Sequence, residues 1–310
     1  IACVGVSGFG NGLFALDKHG RPLQRAISSM DFRSQAMVEA FSQTQKDHLT
    51  RHNLQTSWSG QTSSILRWMK TEKTAAYRDI AAVLFCKDWI RYCLTGVIRS
   101  DVSDISASGL YNVLEKRYDD EIFSILGIEE IGLLAGTPVI SGAFDVVANS
   151  LGSGLIQADQ LCTIMGTWNI NISLSSTPVI PRYIRQTILY ADSSQYAVID
   201  SSATSAANLE WFLSNILRKP GDYELFNRSI ADTSQENEII FTPFICSGLA
   251  NSNPGGSFHR LRNYHTDEDV LRAVAEGILF AHRYHIENII QEGVSVNSVL
   301  ATGGGSKNRN

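Results

Sequence analysis

Apolar and polar positions change period several times along the chain, and each change marks an element. Ile1 to Ser7 alternates loosely among small and β-branched residues, Gly8-Phe9-Gly10-Asn11-Gly12 interrupts it, and Leu13-Phe14-Ala15-Leu16 resumes before Asp17-Lys18-His19-Gly20 turns the chain again. Alternation punctuated by glycine predicts strands joined by tight turns, so the chain is expected to open with an antiparallel meander. From Arg33 to Gly96 the apolar spacing lengthens to that of helices. It is clearest at Ile65, Leu66, Trp68 and Met69 and at Trp89, Ile90, Tyr92, Cys93 and Leu94, the latter stopped by Thr95-Gly96.

The stretch from Gly136 through Val139-Ile140 to Gly142 reads as the entry strand of a second domain, followed by a short helix through Asp145, Val146, Val147 and Leu151. Cys162 to Met165, the turn Gly166-Thr167, and Asn169 to Leu174 then predict a hairpin. Asp267 to Glu292 is the longest helical pattern: Thr266 and Asp269 form a capping box, Leu271, Val274, Ile278, Ile286 and Ile289 make the buried stripe, and Gly293 ends it. Ser298 to Thr302 is a strand running into Gly303-Gly304-Gly305-Ser306. The order is that of a mixed α/β chain with two similar halves, which we divide as residues 1–135 and 136–310.

Composition narrows the function classes. The 310 residues are 44% hydrophobic and 18% charged, and 26 Lys and Arg stand against 31 Asp and Glu. A net charge of −5 argues against a polyanion-binding face, so nucleic acid is not an expected partner. Cys3, Cys86, Cys93, Cys162 and Cys246 are scattered and odd in number. That excludes a zinc ribbon and points to a reducing, cytoplasmic setting. No apolar run nears the ~18 residues of a membrane span; the best, Ile131 to Ile140, is cut by Gly136 and Pro138. Ile1 starts inside a strand-like run and Asn310 follows a glycine cluster, so both ends are expected to be cuts in a longer sequence.

Sharp catalytic motifs are missing. There is no Walker-type phosphate loop and no H-E-x-x-H. His282 and His285 are three apart on the long helix, but the neighbouring acids fall elsewhere on the wheel, so surface or partly buried histidines are expected there rather than a metal site. Gly5-Val6-Ser7-Gly8-Phe9 lacks the closing glycine and the helix of a serine-hydrolase elbow. Gly8 to Gly12 with Asp31 lacks the helix N-terminus that a dinucleotide turn requires. Two weaker features remain. The Gly166-Thr167 turn can offer backbone N–H groups and a hydroxyl to a phosphate, or be a tight turn and nothing more. Asp145, at a strand-to-helix junction, is either a reactive carboxylate or a helix cap.

Taken together, these segments resemble the FGGY family of carbohydrate kinases. The similarity runs in order through Val4 to Asp17; Ser29-Met30-Asp31-Phe32-Arg33; Lys87 to Gly96 with Asp101-Val102-Ser103-Asp104-Ile105-Ser106; Gly142-Ala143-Phe144-Asp145 with Met165-Gly166-Thr167; and Thr302 to Asn308. Within the family the similarity is to the L-xylulose (3-keto-L-gulonate) kinase branch. It is carried by Ser29 to Arg33, by Ser64 to Lys70, by Met165-Gly166-Thr167-Trp168, and by Ala203-Thr204-Ser205 with Asn208-Leu209-Glu210-Trp211-Phe212.

The resemblance implies a two-domain, actin- and hexokinase-like (ribonuclease H-like) α/β ATPase fold with an interdomain cleft, using ATP and Mg2+ to phosphorylate a ketopentose. Glycerol or another polyol as acceptor, or a catalytically silent sugar-binding relative, are the alternatives. By this resemblance Asp145 is the general base and lies near the metal. Phe9, Gly10, Asn11, Asp31 and Arg33 meet the sugar, with an Asp31–Arg33 ion pair as the other reading. Gly166 and Thr167 cradle the phosphate, Gly303, Gly304, Gly305 and Asn308 line the adenosine pocket, and Asp101 and Asp104 order a loop. The implied partner is a small sugar, with a homodimer left open. The chain departs from the family pattern at Ile65, where a lysine is usual, and at Arg260, where a glycine is usual. The family's first phosphate hairpin is expected to lie before Ile1.

Overall fold

In a computed structural model of the chain, described over residues 4–128, 142–232, 238–246 and 255–307, the expected meander is present in part. Leu13 and Ile27 exchange backbone hydrogen bonds at 2.8 and 3.0 Å, the turn at Asp17 to Gly20 closes the hairpin, and Phe14–Leu16 pairs antiparallel with Ala82–Leu84. Val4 to Ser7 form no strand; one parallel bridge joins Gly8 to Phe144 instead. Alternation alone does not make a strand without a neighbour to pair with.

These residues belong to a compact unit made of Ile1–Gly152 and Leu174–Val198. Ser42 and Gln45 cap the helix Gln43–Asn53 reciprocally, and Gly96, at φ 70°, stops the helix Cys86–Thr95 where the sequence predicts. Thr62–Glu72 supplies Ile65, Leu66 and Met69 to a core shared with Leu13, Leu49 and Ile122.

The second unit comprises Ser153–Ser173 and Ile199–Asn310. The 135/136 division read from the sequence falls outside the described residues, and the helix Asp145–Gly152 groups with the first unit. The predicted hairpin forms as Gln160–Met165 and Asn169–Ser175, with Met165 opposite Asn169. Ser298–Thr302 joins its outer edge in parallel, Thr302 beside Ile164. Within this unit the strand order is Ser298–Thr302, Gln160–Met165, Asn169–Ser175.

The helix Asp267–Gln291 carries the predicted capping box and buries Leu271 and Val274 against Leu209, Leu213 and Phe241. One expectation is corrected here. His282 and His285 are not at the surface but 3% and 2% exposed. His282 Nδ1 lies 2.9 Å from Thr163 Oγ1, and His285 bridges Asp200 Oδ2 and Ser202 Oγ, each at 2.6 Å. The helical wheel holds no sign of these strand residues, and they are what make burial of two imidazoles tolerable.

Candidate active site

The glycine turn near the start of the chain is shaped by backbone geometry. Asn11 and Gly12 are both left-handed, at φ 62° and 72°, a conformation asparagine and glycine adopt more readily than other residues. Gly10 admits no side chain, because a Cβ there would lie 2.7 Å from Asp104 Oδ1 and 2.8 Å from the Phe144 ring. Asn11 is 2% exposed and its Oδ1 accepts from Thr62 N–H at 3.3 Å, so its side chain anchors the helix Thr62–Glu72 from inside. Phe9, at 36% exposure, is open to solvent.

Beneath this turn lies a charged cluster. The Lys87 ammonium is fully buried and pairs with Asp88 Oδ1 at 2.7 Å, with Asp104 Oδ2 at 2.8 Å, and with Asp101. Burial by itself would lower the Lys87 pKa, but the charges of Asp104, Asp101 and Asp88 outweigh it and hold the ammonium protonated well past its usual range. Burial pushes the carboxyls of Asp88 and Asp104 up, with the Lys87 charge opposing. Asp101 also caps the helix Val102–Ala107 by accepting from Ser103 N–H at 2.9 Å. That matches the loop-ordering reading for Asp101, while Asp104 is a buried counterion. No role for Lys87 follows from helical periodicity; its signal is a lysine and an aspartate side by side in an apolar helix.

The cluster reaches Asp145 through a short relay. Ser103 Oγ donates to Asp101 and accepts from Phe144 N–H at 3.0 Å. Asp145, the next residue, donates its own N–H to Gly8 carbonyl at 3.0 Å. Its Oδ1 accepts from Val146 N–H at 2.7 Å, at the first turn of the helix Asp145–Gly152. Residue 145 is exposed, so solvent reaches the carboxylate. Protein crowding nevertheless raises its pKa, with the Val146 N–H opposing.

Asp31 and Arg33 form a bidentate ion pair, Nη2 to Oδ2 at 2.7 Å and Nε to Oδ1 at 2.8 Å, and the guanidinium stacks 4.9 Å over Trp68. The pair holds the Asp31 carboxyl below its usual range. It follows Ser29, whose backbone nitrogen would lie 3.1 Å from a Cβ on Gly12.

In the second unit the two remaining glycine turns come together at the carboxyl ends of parallel strands. A Cβ on Gly303, at φ 95°, would lie 2.6 Å from Met165 carbonyl, and one on Gly305 2.9 Å from Met165 Cβ. Gly166 and Thr167 carbonyls accept from Ala206 and Ala207 N–H, so the helix Ala206–Trp211 starts against the turn. This puts Ala203-Thr204-Ser205, a marker of the resemblance, next to the Gly166-Thr167 turn. Asn308 lies outside the described residues.

Sequence profiles for two domains fit this layout: the N-terminal domain of the FGGY family of carbohydrate kinases matches residues 1–133, and its C-terminal domain matches residues 161–310. The chain belongs to the FGGY family of carbohydrate kinases. Among relatives of this FGGY kinase, a probable L-xylulose kinase of Pasteurella multocida is 32% identical over 98% of this chain and 68% of its own length. The L-xylulose/3-keto-L-gulonate kinase of Escherichia coli K12 is 31% identical over 98% of this chain and 66% of its own. The fold is that of solved FGGY kinases. A crystal structure of a xylulose kinase from Brucella ovis superposes with a TM-score of 0.85 at 22% identity, over 99% of this chain and 68% of that one. Plasmodium falciparum glycerol kinase with ADP gives 0.81 at 17% identity, over 100% of this chain and 68% of that one. Both share the two-domain actin- and hexokinase-like fold expected from the sequence. Among the described residues no helix is long and apolar enough to cross a membrane.

Proposed function

We propose that this FGGY kinase transfers the γ-phosphoryl group of ATP to a hydroxyl of a small ketose, a ketopentose of the xylulose type, with Asp145 as general base. The observation that carries the base assignment is an open carboxylate at a helix start whose backbone N–H is tied to Gly8, beside the Phe9-Gly10 turn. The acceptor oxygen bonds to the γ-phosphorus, the phosphorus–oxygen bond to ADP breaks with its electron pair going to ADP, and the hydroxyl proton passes to Asp145. In a loose phosphoryl transfer the base need only take that proton late, and a carboxyl with raised pKa takes it more readily. Phe9 and Gly10 shape the sugar side with the exposed Asp31–Arg33 pair, while Asn11 holds the turn from beneath.

The turns at Gly166-Thr167 and Gly303 to Gly305 suit phosphate and adenosine, since side chains are absent where backbone N–H groups approach an anion. Magnesium, when bound with the nucleotide, would neutralise charge on the phosphates, and Asp145 would be the carboxylate able to orient one of its waters. The names of the relatives support the xylulose class. The test is ADP release measured over pentuloses, hexuloses and glycerol. A ketopentose should give the highest kcat/KM. Preference for glycerol would overturn the substrate class, and an Asp145→Asn variant with full turnover would overturn the base.

A further inference from the structure

We propose that His48, His52 and Glu121 form a binding site for a borderline divalent transition ion such as Zn2+, on helices that carry none of the residues assigned to phosphoryl transfer. His48 and His52 are four apart on the helix Gln43–Asn53, which sets them one turn apart on one face. Their rings stack with centroids 4.8 Å apart. Glu121, from the helix Asp120–Leu126, meets both: Oε1 lies 2.7 Å from His48 Nε2 and Oε2 3.7 Å from His52 Nε2. One ligand atom from each of the three side chains falls within 4.8 Å of the others.

A second observation points to coordination rather than an ion pair alone. His52 Nδ1 is 3.0 Å from Asp119 Oδ2, which also accepts from Asn112 Nδ2 at 2.8 Å. A carboxylate held on Nδ1 keeps the proton there and leaves the Nε2 lone pair aimed at Glu121, the arrangement by which proteins orient a metal-binding imidazole. A tetrahedral zinc ion with nitrogen and oxygen ligands at ~2.0–2.2 Å sets neighbouring donors about 3.3–3.6 Å apart. The His48–Glu121 contact must therefore open and the His52–Glu121 contact close. His48 and Glu121 side chains are 40% and 51% exposed, so both can move without disturbing the core. Three protein ligands leave one position for water. Imidazole in the set favours zinc, cobalt or nickel over magnesium.

The test uses the whole protein with its thiols alkylated, titrated with Co2+ and with Zn2+ against a chromogenic chelator. One equivalent should bind at about 10 µM or tighter, with the visible absorption of tetrahedral nitrogen and oxygen ligation, and millimolar Mg2+ should not displace it. His48→Gln and Glu121→Gln, both surface changes, should each weaken binding at least about tenfold, and Asp119→Asn by about 10–100-fold. Zn2+ should raise the Tm of the wild type and not of His48→Gln. Absence of binding at 100 µM metal, displacement by Mg2+, or binding unchanged in the variants would each overturn the site.

Discussion

Replacing Lys87 by methionine should cost the first unit about 3–5 kcal/mol at neutral pH, the range seen when one partner of a buried ion pair is removed. The Lys87 side chain is 0% exposed, as are those of Asp88 and Asp104, and Asp101 is 13% exposed. Methionine fills nearly the same volume, so the loss is electrostatic rather than a cavity. Each contact near 2.7 Å is worth about 6 kcal/mol of attraction at an effective dielectric of ~20, most of it offset by the cost of burying the ions. In the variant three carboxylates face one another, with the Arg91 guanidinium 3.9 Å from Asp88.

The pH dependence separates this cause from simple misfit. A buried carboxyl whose pKa lies above its unfolded value binds protons in the folded state over the interval between the two, so stability rises as pH falls through the folded pKa. The deficit of the variant should therefore shrink between pH 8 and 5.5, by about 1.4 kcal/mol per unit for each carboxyl that titrates. The wild type behaves oppositely at the alkaline end: the raised Lys87 pKa keeps its contribution intact below the unfolded value of ~10.4, to be lost only at higher pH. Urea unfolding at both pH values reads the difference. A deficit under 1 kcal/mol at pH 8, or one that does not change on acidification, would refute the electrostatic reasoning. Because Asp101 holds Ser103 and Ser103 holds Phe144, kcat should fall along with stability.

Other expectations follow from single contacts. Asp145→Asn should lower kcat by about 10²–10⁴ with little change in sugar affinity, measured by ADP release and sugar titration. In the wild type, where desolvation by the surrounding protein raises the Asp145 pKa, the acid limb of kcat/KM should lie above the usual carboxylate range of ~4, because protonation removes the base; a limb at or below it would contradict the assignment. Gly10→Ala should destabilise by about 1–3 kcal/mol in urea, since its Cβ meets Asp104 and Phe144. His282 has its pKa lowered from 6.5 to about 4, first by burial. Its contribution is complete above the unfolded value and is lost progressively as pH falls towards 4, on the order of 3 kcal/mol in all. His282→Gln should flatten that acid loss in unfolding midpoints.

The turns and caps of this chain were legible because each is a local event. Gly96 stops a helix by its own backbone freedom, Thr266 and Asp269 cap one another three residues apart, and Gly166-Thr167 turns a hairpin whose two strands flank it. Asp145 was legible as a carboxylate at a helix start for the same reason. What local pattern did not carry was pairing at long range. It implied a first strand where the described residues from Val4 to Gly8 have one bridge, from Gly8 to Phe144, and it left His285 without the Asp200 that lies 85 residues away.

The helix Cys86–Thr95 shows why a periodic pattern can be read correctly and still point the wrong way. Its apolar residues repeat at helical spacing, yet Ile90 and Leu94 are 42% and 67% exposed while Lys87, Asp88 and Arg91 are buried. Such an inverted helix is stable only if its inward charges find counterions inside, because an unpaired buried ion costs several kcal/mol. Lys87 therefore requires the acids of the next segment, and Asp101 and Asp104 are three apart at the start of the helix Val102–Ala107, where one turn presents both to a single ammonium. On this argument the spacing from Lys87-Asp88 to Asp101 and Asp104 is one structural unit. Its purpose is to fix Ser103 and, through Phe144, the backbone that presents Asp145.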